Sequence, residues 1–274
     1  MRKVNISELK ITANTIRQDI IKMLNAAGSG HSGGSLGMAD IFTALYFNIL
    51  KHTPLQADNQ YRDRLVLSNG HICPVQYATL ARAGYFPLVK LKSLRKINSE
   101  LQGHPHRKSL PGIETSSGPL GQGISQAVGM ALAAKMNKEH HHIFCITSDG
   151  EHNEGQVWEA IMTAHKYKLD NLINIVDYNG IQIDGFTKDI MPLASLRKKY
   201  EAFGWYVLEM NGHNIKEIIN TLNKAKKIKN PVVIIAHTTL GKGVSFMENQ
   251  FAWHGLAPND EEATRALKEL EDDK

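Results

Sequence analysis

The sequence predicts an α/β fold, a doubly wound, mainly parallel sheet with helices on both faces. Three observations carry this. From about His142 onward the chain alternates strand-like and helix-like segments. His142-Ile143-Phe144-Cys145-Ile146-Thr147 and Leu172-Ile173-Asn174-Ile175-Val176 are short apolar runs of the kind that form strands buried on both faces. Finally, 274 residues fit one large α/β domain or two small ones. There is no repeat, low-complexity region or interior linker, so a single domain over 1–274 is expected.

The elements follow in order. Leu9, Ala13, Ile16, Ile20 and Leu24 share one helical face and give a first helix ending near Gly28. Met38 to Leu50 gives a second, through Ile41, Leu45 and Ile49. Gly118 to Asn137 reads as a loop followed by a helix. Gly118, Gly121 and Gly123 allow backbone to approach a ligand, and the helix start offers free amides to an anion. Ala127, Gly129, Ala131, Ala133 and Ala134 also suit close packing, within the fold or against another subunit. Strands are expected near 142–147, 172–177, 205–209 and 231–237, with helices near 154–168, 193–203 and 215–227. The first of these helices puts Val157, Trp158, Ile161, Ala164 and His165 on one face. The last carries Ile215, Ile218, Ile219 and Leu222 and ends in the basic run Lys224–Lys229. The charged tail Lys268–Lys274 is expected to fray.

The net charge is +5 and the pI about 9.0. Basic residues are dispersed among 27 acids, which argues against a nucleic-acid surface. No apolar run reaches membrane-spanning length, and Met1-Arg2-Lys3 opens no signal-peptide pattern. A cytoplasmic protein without membrane or nucleic-acid partners is expected. Cys73 and Cys145 are too few for a disulfide framework and read as buried free thiols.

Two polar clusters end the first two predicted strands: Ser148-Asp149-Gly150 and Asp177-Tyr178-Asn179-Gly180-Ile181. Ligands bind at the carboxyl ends of strands in doubly wound sheets. A carboxylate from Asp149, an amide oxygen from Asn179 and the backbone carbonyl of Ile181 could hold one Mg²⁺ against a diphosphate, with phosphate oxygens and a water completing the shell. Each cluster alone would also serve as an ordinary turn.

The chain has 13 histidines. His140-His141-His142 reads as surface or strand start, and His52, His106, His152, His165, His213 and His237 as structural. His31, His71, His104 and His254 differ, since each lies beside Gly or Pro in a predicted loop. Their spacing lacks the short His-x-x-His type patterns of zinc sites.

Taken together these motifs resemble the transketolase family. Ser148-Asp149-Gly150 with its downstream Asn179 is similar to the family's GDG…N motif. Glu154-Gly155-Gln156-Val157-Trp158-Glu159-Ala160, Ile183-Asp184-Gly185, Gly30-His31-Ser32-Gly33-Gly34 and Leu67-Ser68-Asn69-Gly70-His71 fit the same family. So do Gly103-His104-Pro105, Gly118-Pro119-Leu120-Gly121-Gln122-Gly123 and Trp253-His254-Gly255, all in family order from about Ser7 to Pro258. The resemblance implies a thiamine diphosphate-binding fold with Mg²⁺, for which Ca²⁺ or Mn²⁺ can substitute. It implies cofactor contacts from His71, Gly118, Pro119, Leu120, Asp149, Gly150, Asn179 and His254, and metal ligands Asp149, Asn179 and Ile181. Catalytic roles fall to His31, His71, His104, His254 and Glu154, with Glu154 and Glu159 placed at a subunit interface.

The resemblance covers only the first of the family's three usual domains. It therefore implies the N-terminal subunit of a split transketolase, working with a C-terminal partner subunit in an α2β2 heterotetramer. The reaction implied moves a two-carbon ketol unit between a ketose phosphate and an aldose phosphate, as in the pentose phosphate pathway. The positive charge balance suits anionic sugar phosphates. Two departures bear on the substrate: Ser148 replaces the first Gly of GDG, and Ser32 and Ser35 stand where transketolases often have Pro. Branched or sulfonated sugars, a decarboxylating synthase and a non-catalytic cofactor-binding protein are the alternatives. A Rossmann dehydrogenase lacks its G-x-G-x-x-G.

Overall fold

A computed structural model describes residues 5–272. Five strands form one fully parallel sheet in the order β1-β2-β3-β7-β6. Chain order begins with α1 (Ile6–Ala27), α2 (Gly33–Gly37), α3 (Ala39–Ala44), β1 (Arg64–Leu67), α4 (Cys73–Arg82) and α5 (Gln122–Met136). Next come β2 (Ile143–Ser148), α6 (Gly155–Lys166), β3 (Leu172–Tyr178), the hairpin β4 (Ile181–Gln182) and β5 (Gly185–Phe186), and α7 (Thr187–Ile190). The chain finishes with α8 (Leu196–Ala202), β6 (Tyr206–Asn211), α9 (Ile215–Ala225), β7 (Val232–His237) and α10 (Asp260–Asp272).

Side chains alternate across a strand, so each strand feeds two cores. Phe144 and Ile146, Ile173 and Ile175, and Val232 and Ile234 enter the larger core with α1, α3, α4 and α9. Ile143 and Cys145, Leu172 and Val176, and Val233 and Ile235 enter a second core with α5, α6 and α8. Burial on both faces is why these runs read as continuous apolar stretches. The expected fold class and all four expected strands are present. Both cysteines are buried free thiols. No described helix is long and apolar enough to cross a membrane.

Several elements differ from expectation. β1 is a four-residue strand whose run is too short for a periodic signal, and it forms the sheet edge beside β2. α4 and the β4–β5 hairpin are likewise not expected from the sequence. The expected helix from Met38 to Leu50 begins earlier, at Gly33. It ends in a wider turn over Leu45–Ile49, where the Leu50 amide reaches back five residues to Leu45 O at 2.8 Å. Of the two readings of the histidines at 140–142, strand start holds for His141, which is buried just before β2.

The charged C-terminal segment does not fray over the described residues; it is α10. Asn259 and Glu262 form a reciprocal cap at its start (2.9 Å each way). Ala263, Ala266 and Leu270 pack into the α1 core, and Asn14 Nδ2 donates to Leu270 O at 2.6 Å. Asp273 and Lys274 lie outside the described residues.

Beneath the sheet's first core, Arg17 of α1 pairs with Asp40 of α3, both buried. Arg17 Nε also donates to Leu36 O. His213 accepts the Thr239 amide at Nε2 (2.8 Å), so its Nδ1–H donates to Asp40 (3.0 Å). Burial alone would raise the Asp40 pKa, but Arg17 and then His213 reverse this and hold it below its ordinary value. Its contribution to stability is therefore present above that ordinary value and lost as pH falls through the depressed one. Asp40→Ala strands a buried guanidinium and should cost about 3–5 kcal/mol. Urea unfolding measures this, and a loss below about 1 kcal/mol would show that Arg17 finds water or another partner.

Candidate active site at the carboxyl ends of the strands

Parallel register places Ser148 beside Asp177 and Tyr178 beside His237. The turns leaving β1, β2, β3 and β7 therefore share one edge of the sheet. Asp149 follows β2 and is buried. Its Oδ1 accepts the Gly150 amide (2.8 Å) and its Oδ2 the Gly180 amide (2.6 Å). Asp177, the next carboxylate along the edge, accepts from the Thr238 hydroxyl and from Asn179 Nδ2 (3.1 Å). Asn179 Oδ1 in turn accepts the Ile181 amide at 2.9 Å. That bond fixes which end of the side-chain amide is oxygen and leaves that oxygen a second lone pair.

Burial, then the neighbouring Asp177, pushes Asp149 up to about 7 against the pull of its amide donors. Burial likewise raises Asp177 to about 6, opposed by Thr238 and Asn179. No cationic side chain among the described residues contributes to either shift. Two buried carboxylates compensated only by dipoles are what a hard divalent cation would stabilise. The oxygen-only donor set of Asp149, Asn179 and the Ile181 carbonyl suits such an ion. Among the described residues no cluster of three or more His, Cys, Asp or Glu side chains is placed to hold a metal.

Those histidines do come together. The His31 ring lies 5.1 Å from His71, 6.3 Å from His104 and 5.8 Å from His254, and His71 lies 5.2 Å from His254. Each comes from a different segment. His31 precedes α2, His71 follows β1, His104 stands in the long loop after α4, and His254 belongs to a short turn at 251–254. Ser32 joins two of these segments, since its hydroxyl contacts Leu256 O (2.8 Å) and Trp253 O (3.2 Å). Ser35 hydroxyl holds His31 O at 2.7 Å. The two serines that depart from the family pattern thus do local structural work.

The histidines and the carboxylates form one site. A Cβ on Gly34 would lie 3.7 Å from Asp177 Oδ2, and one on Gly255 would lie 3.8 Å from the His31 ring and 3.9 Å from Ile183. The third wall is the Gly118 loop, packed so that a Cβ on Gly118 would sit 3.4 Å from His104. Gly70 meets the same loop from the other side, where a Cβ would reach 2.9 Å from the Gly118 amide. A side chain at Gly70 would close that approach.

The site retains several buried polar atoms without protein partners. They are both polar atoms of the Asn69 side chain, the Ser117 hydroxyl, and Nδ1 of His31 and of His254. Each such atom costs stability unless something polar meets it. Their convergence here fits a polar cofactor. Asn69, Ser117, Asp177 and Thr238 are site residues that the sequence reading does not single out. Asn69 and Asp177 lie inside its motifs, and the Gly-flanked position of Asn69 is the available signal.

Pro119 and Leu120 follow Gly118 on the same wall, and the Leu120 carbonyl accepts from Gln156 Nε2 at 2.9 Å. Glu154 and Glu159 are exposed, and no hydrogen bond among the described residues ties Glu154 to the histidines. The Ser148 amide is occupied by Glu151 Oε2 at 3.1 Å and is not free for a phosphate.

The fold is that of a parallel α/β enzyme with a polar site at its strand ends, and similarity to known proteins gives its class. The chain matches the family described as "Transketolase, thiamine diphosphate binding domain" over residues 9–271. It belongs to that family. It is 43% identical over 265 residues to the 6-deoxy-6-sulfo-D-fructose transketolase subunit SqwG of Clostridium sp. (strain MSTE9), covering 96% of both chains. It is 42% identical to one subunit of the apulose-4-phosphate transketolase of Actinobacillus succinogenes, end to end in both. A transketolase crystal structure from Campylobacter jejuni superposes with a TM-score of 0.93 at 38% identity, over 98% of this chain and 43% of that one. The chain is therefore a transketolase-type transferase subunit that corresponds in extent to relatives named as separate subunits.

Burial leads the causes that lower all four imidazole pKa values. His254 and Arg95 add to it at His31, which falls from 6.5 to about 4. The unfolded chain takes up protons below 6.5 that the folded chain refuses until about 4, so stability falls as pH falls through that window. Urea unfolding at about pH 7 and about pH 5 should show the loss, and His31→Asn should shrink it. An unchanged difference in that variant would mean that His31 is already charged in the folded state.

Proposed function

We propose that this chain, as a single domain, is the diphosphate-binding subunit of a split transketolase. It holds thiamine diphosphate and Mg²⁺, and acts with a C-terminal partner subunit on phosphorylated or similarly anionic sugars. The observation that carries the reading is the meeting of four neutral histidines with the Asp149–Asn179 oxygen cluster at one sheet edge.

In this reading Asp149, Asn179 and the Ile181 carbonyl hold the metal, with Ca²⁺ or Mn²⁺ as substitutes for Mg²⁺. His71, Gly118, Pro119, Leu120, Asp149, Gly150, Asn179 and His254 line the cofactor. When bound, thiamine diphosphate supplies the electron sink for breaking a carbon–carbon bond next to a carbonyl. The chain's own residues bind, orient and handle protons. His31, His104 and His254 face the sugar. Their lowered pKa values keep them neutral at neutral pH, so a ring nitrogen can take the proton of a substrate hydroxyl. The Arg95 guanidinium packs on Gly30 and Gly103 near His31 and His104, adding positive charge for an anionic sugar. Relatives named for 6-deoxy-6-sulfo-D-fructose and for apulose-4-phosphate are 43% and 42% identical, so similarity does not rank the substrates.

Full-length transketolases are matched over about two-fifths of their length, as with the 42% covered in the Mus musculus protein. We infer that this chain assembles with a partner into an α2β2 heterotetramer in the cytoplasm and is inactive alone. Glu154 and Glu159 would lie at the subunit contact, with Glu154 reaching the catalytic centre only there. Co-expression with the neighbouring open reading frame, followed by light scattering and assay on several ketose phosphates, tests this. An active homodimer of this chain alone would reject it.

Two substitutions test the site. Asp149→Ala should abolish Mg²⁺-dependent thiamine diphosphate binding in isothermal titration of the assembled enzyme, because it removes the sole carboxylate of the proposed donor set. His254→Ala should lower kcat roughly 10²-fold or more with a smaller change in cofactor affinity. Wild-type turnover in the loaded variant would remove His254 from proton transfer.

A further inference from the structure

Glu151 lies two residues beyond Asp149, is fully buried, and belongs to none of the ligand sets above. Its carboxylate gathers donors from three separate chain segments. Oε1 accepts the Ser68 hydroxyl from the turn after β1 and the Gly121 amide (2.6 Å) from the glycine loop before α5. Oε2 accepts the Ser148 amide (3.1 Å) at the end of β2. These segments bear His71, Gly118 to Leu120 and Asp149, so they carry most of the proposed cofactor contacts. We propose that Glu151 is a positioning residue that assembles these three segments into the diphosphate cradle before any cofactor arrives.

The local geometry demands such a tie. Gly121 sits at φ +79°, in the left-handed region, and turns the chain into α5. Its amide would otherwise be one of the unpaired donors of a helix start. Gln156 Nε2 holds the Leu120 carbonyl at 2.9 Å, so the Leu120–Gly121 peptide is gripped at its oxygen by Gln156 and at its nitrogen by Glu151. Gly123 packs so closely on Ser68 that a Cβ there would lie 2.5 Å from its Cα. The two loops are thus pressed together with one carboxylate between them. Two backbone amides and a hydroxyl satisfy a buried acceptor that has no cationic partner among the described residues.

Glu151 touches neither substrate nor cofactor in this arrangement. Losing it should loosen the cradle and leave the chemistry intact once the cradle is filled. Glu151→Gln keeps the size but turns one accepting oxygen into an NH₂ that faces a donor. Ser68→Ala removes a single donor and leaves the carboxylate in place.

The inference rests on the thiamine diphosphate reading for its functional consequence but not for its structural one, so two measurements separate them. Hydrogen exchange on the cofactor-free complex should show the Gly121 and Ser148 amides losing roughly tenfold or more of their protection in Glu151→Gln, with β3 amides unchanged. On the assembled enzyme, the apparent KM for thiamine diphosphate should rise roughly tenfold or more, while kcat at saturating cofactor stays within about threefold. Ser68→Ala should move both in the same direction by less. Wild-type protection and wild-type cofactor KM in folded Glu151→Gln would overturn the proposal, as would a lower kcat at unchanged KM. If the wild-type complex binds no thiamine diphosphate, the functional reading fails, while the exchange result still decides whether Glu151 assembles the loops.

Discussion

Parallel pairing is the constraint from which this molecule follows. When every strand of a sheet runs the same way, all their carboxyl ends reach the same edge. Here that edge receives the turns after β1, β2, β3 and β7, and with them Asn69, Asp149, Asp177 and Thr238. Parallel sheets must be covered on both faces, so helices fill both sides and leave the edge as the place where loops meet solvent. The four histidines come from segments as far apart as residues 31 and 254, yet their rings meet within 5.1–6.3 Å in the pairs that touch.

Electrostatics then divides the edge into two regions with opposite tasks. Around Asp149 and Asp177 the protein buries carboxylates and answers them with amides and a hydroxyl, with no lysine or arginine among the described residues paired to either. That leaves room for a divalent ion and keeps diphosphate charge tolerable beside carboxylates. Around the histidines burial suppresses protonation, so the rings remain bases that can accept a proton. A lysine in the first region would take the place of the proposed cation. A carboxylate beside the second would raise the imidazole pKa values and hold them charged.

The sequence makes much of this legible for definite reasons. Apolar runs buried on both faces are unambiguous when they are six or seven residues long, as in β2 and β3. A four-residue strand such as β1 carries no period to read. The Asp-Gly and Asn-Gly turns mark the site because their position at strand ends is itself predictable. Glycine-flanked histidines stand out because loops of that kind place backbone close to a ligand. Asp177 does not stand out, since an acid one residue before a turn looks like a solvent-facing one until register sets it against Ser148. Helix α10 is masked by its charge, although its signals are present. Asn259 and Glu262 spell a capping box, and Ala263, Ala266 and Leu270 keep a helical period beneath the charge.

Glu151 shows why positioning residues escape sequence reading more readily than ligands do. A ligand has to be of the type its chemistry requires, so its identity is informative by itself. A positioning group is defined by what converges on it, and convergence belongs to the fold. In the sequence Glu151 is one more acid in the turn after Asp149, and nothing in its immediate neighbours marks it. Only the close approach of Gly123 to Ser68 and the left-handed turn at Gly121 bring three donors to its carboxylate. The glycines that let these two loops press together are thus the same ones that make a buried tie necessary. Loop packing and loop assembly are in this sense one requirement on the sequence.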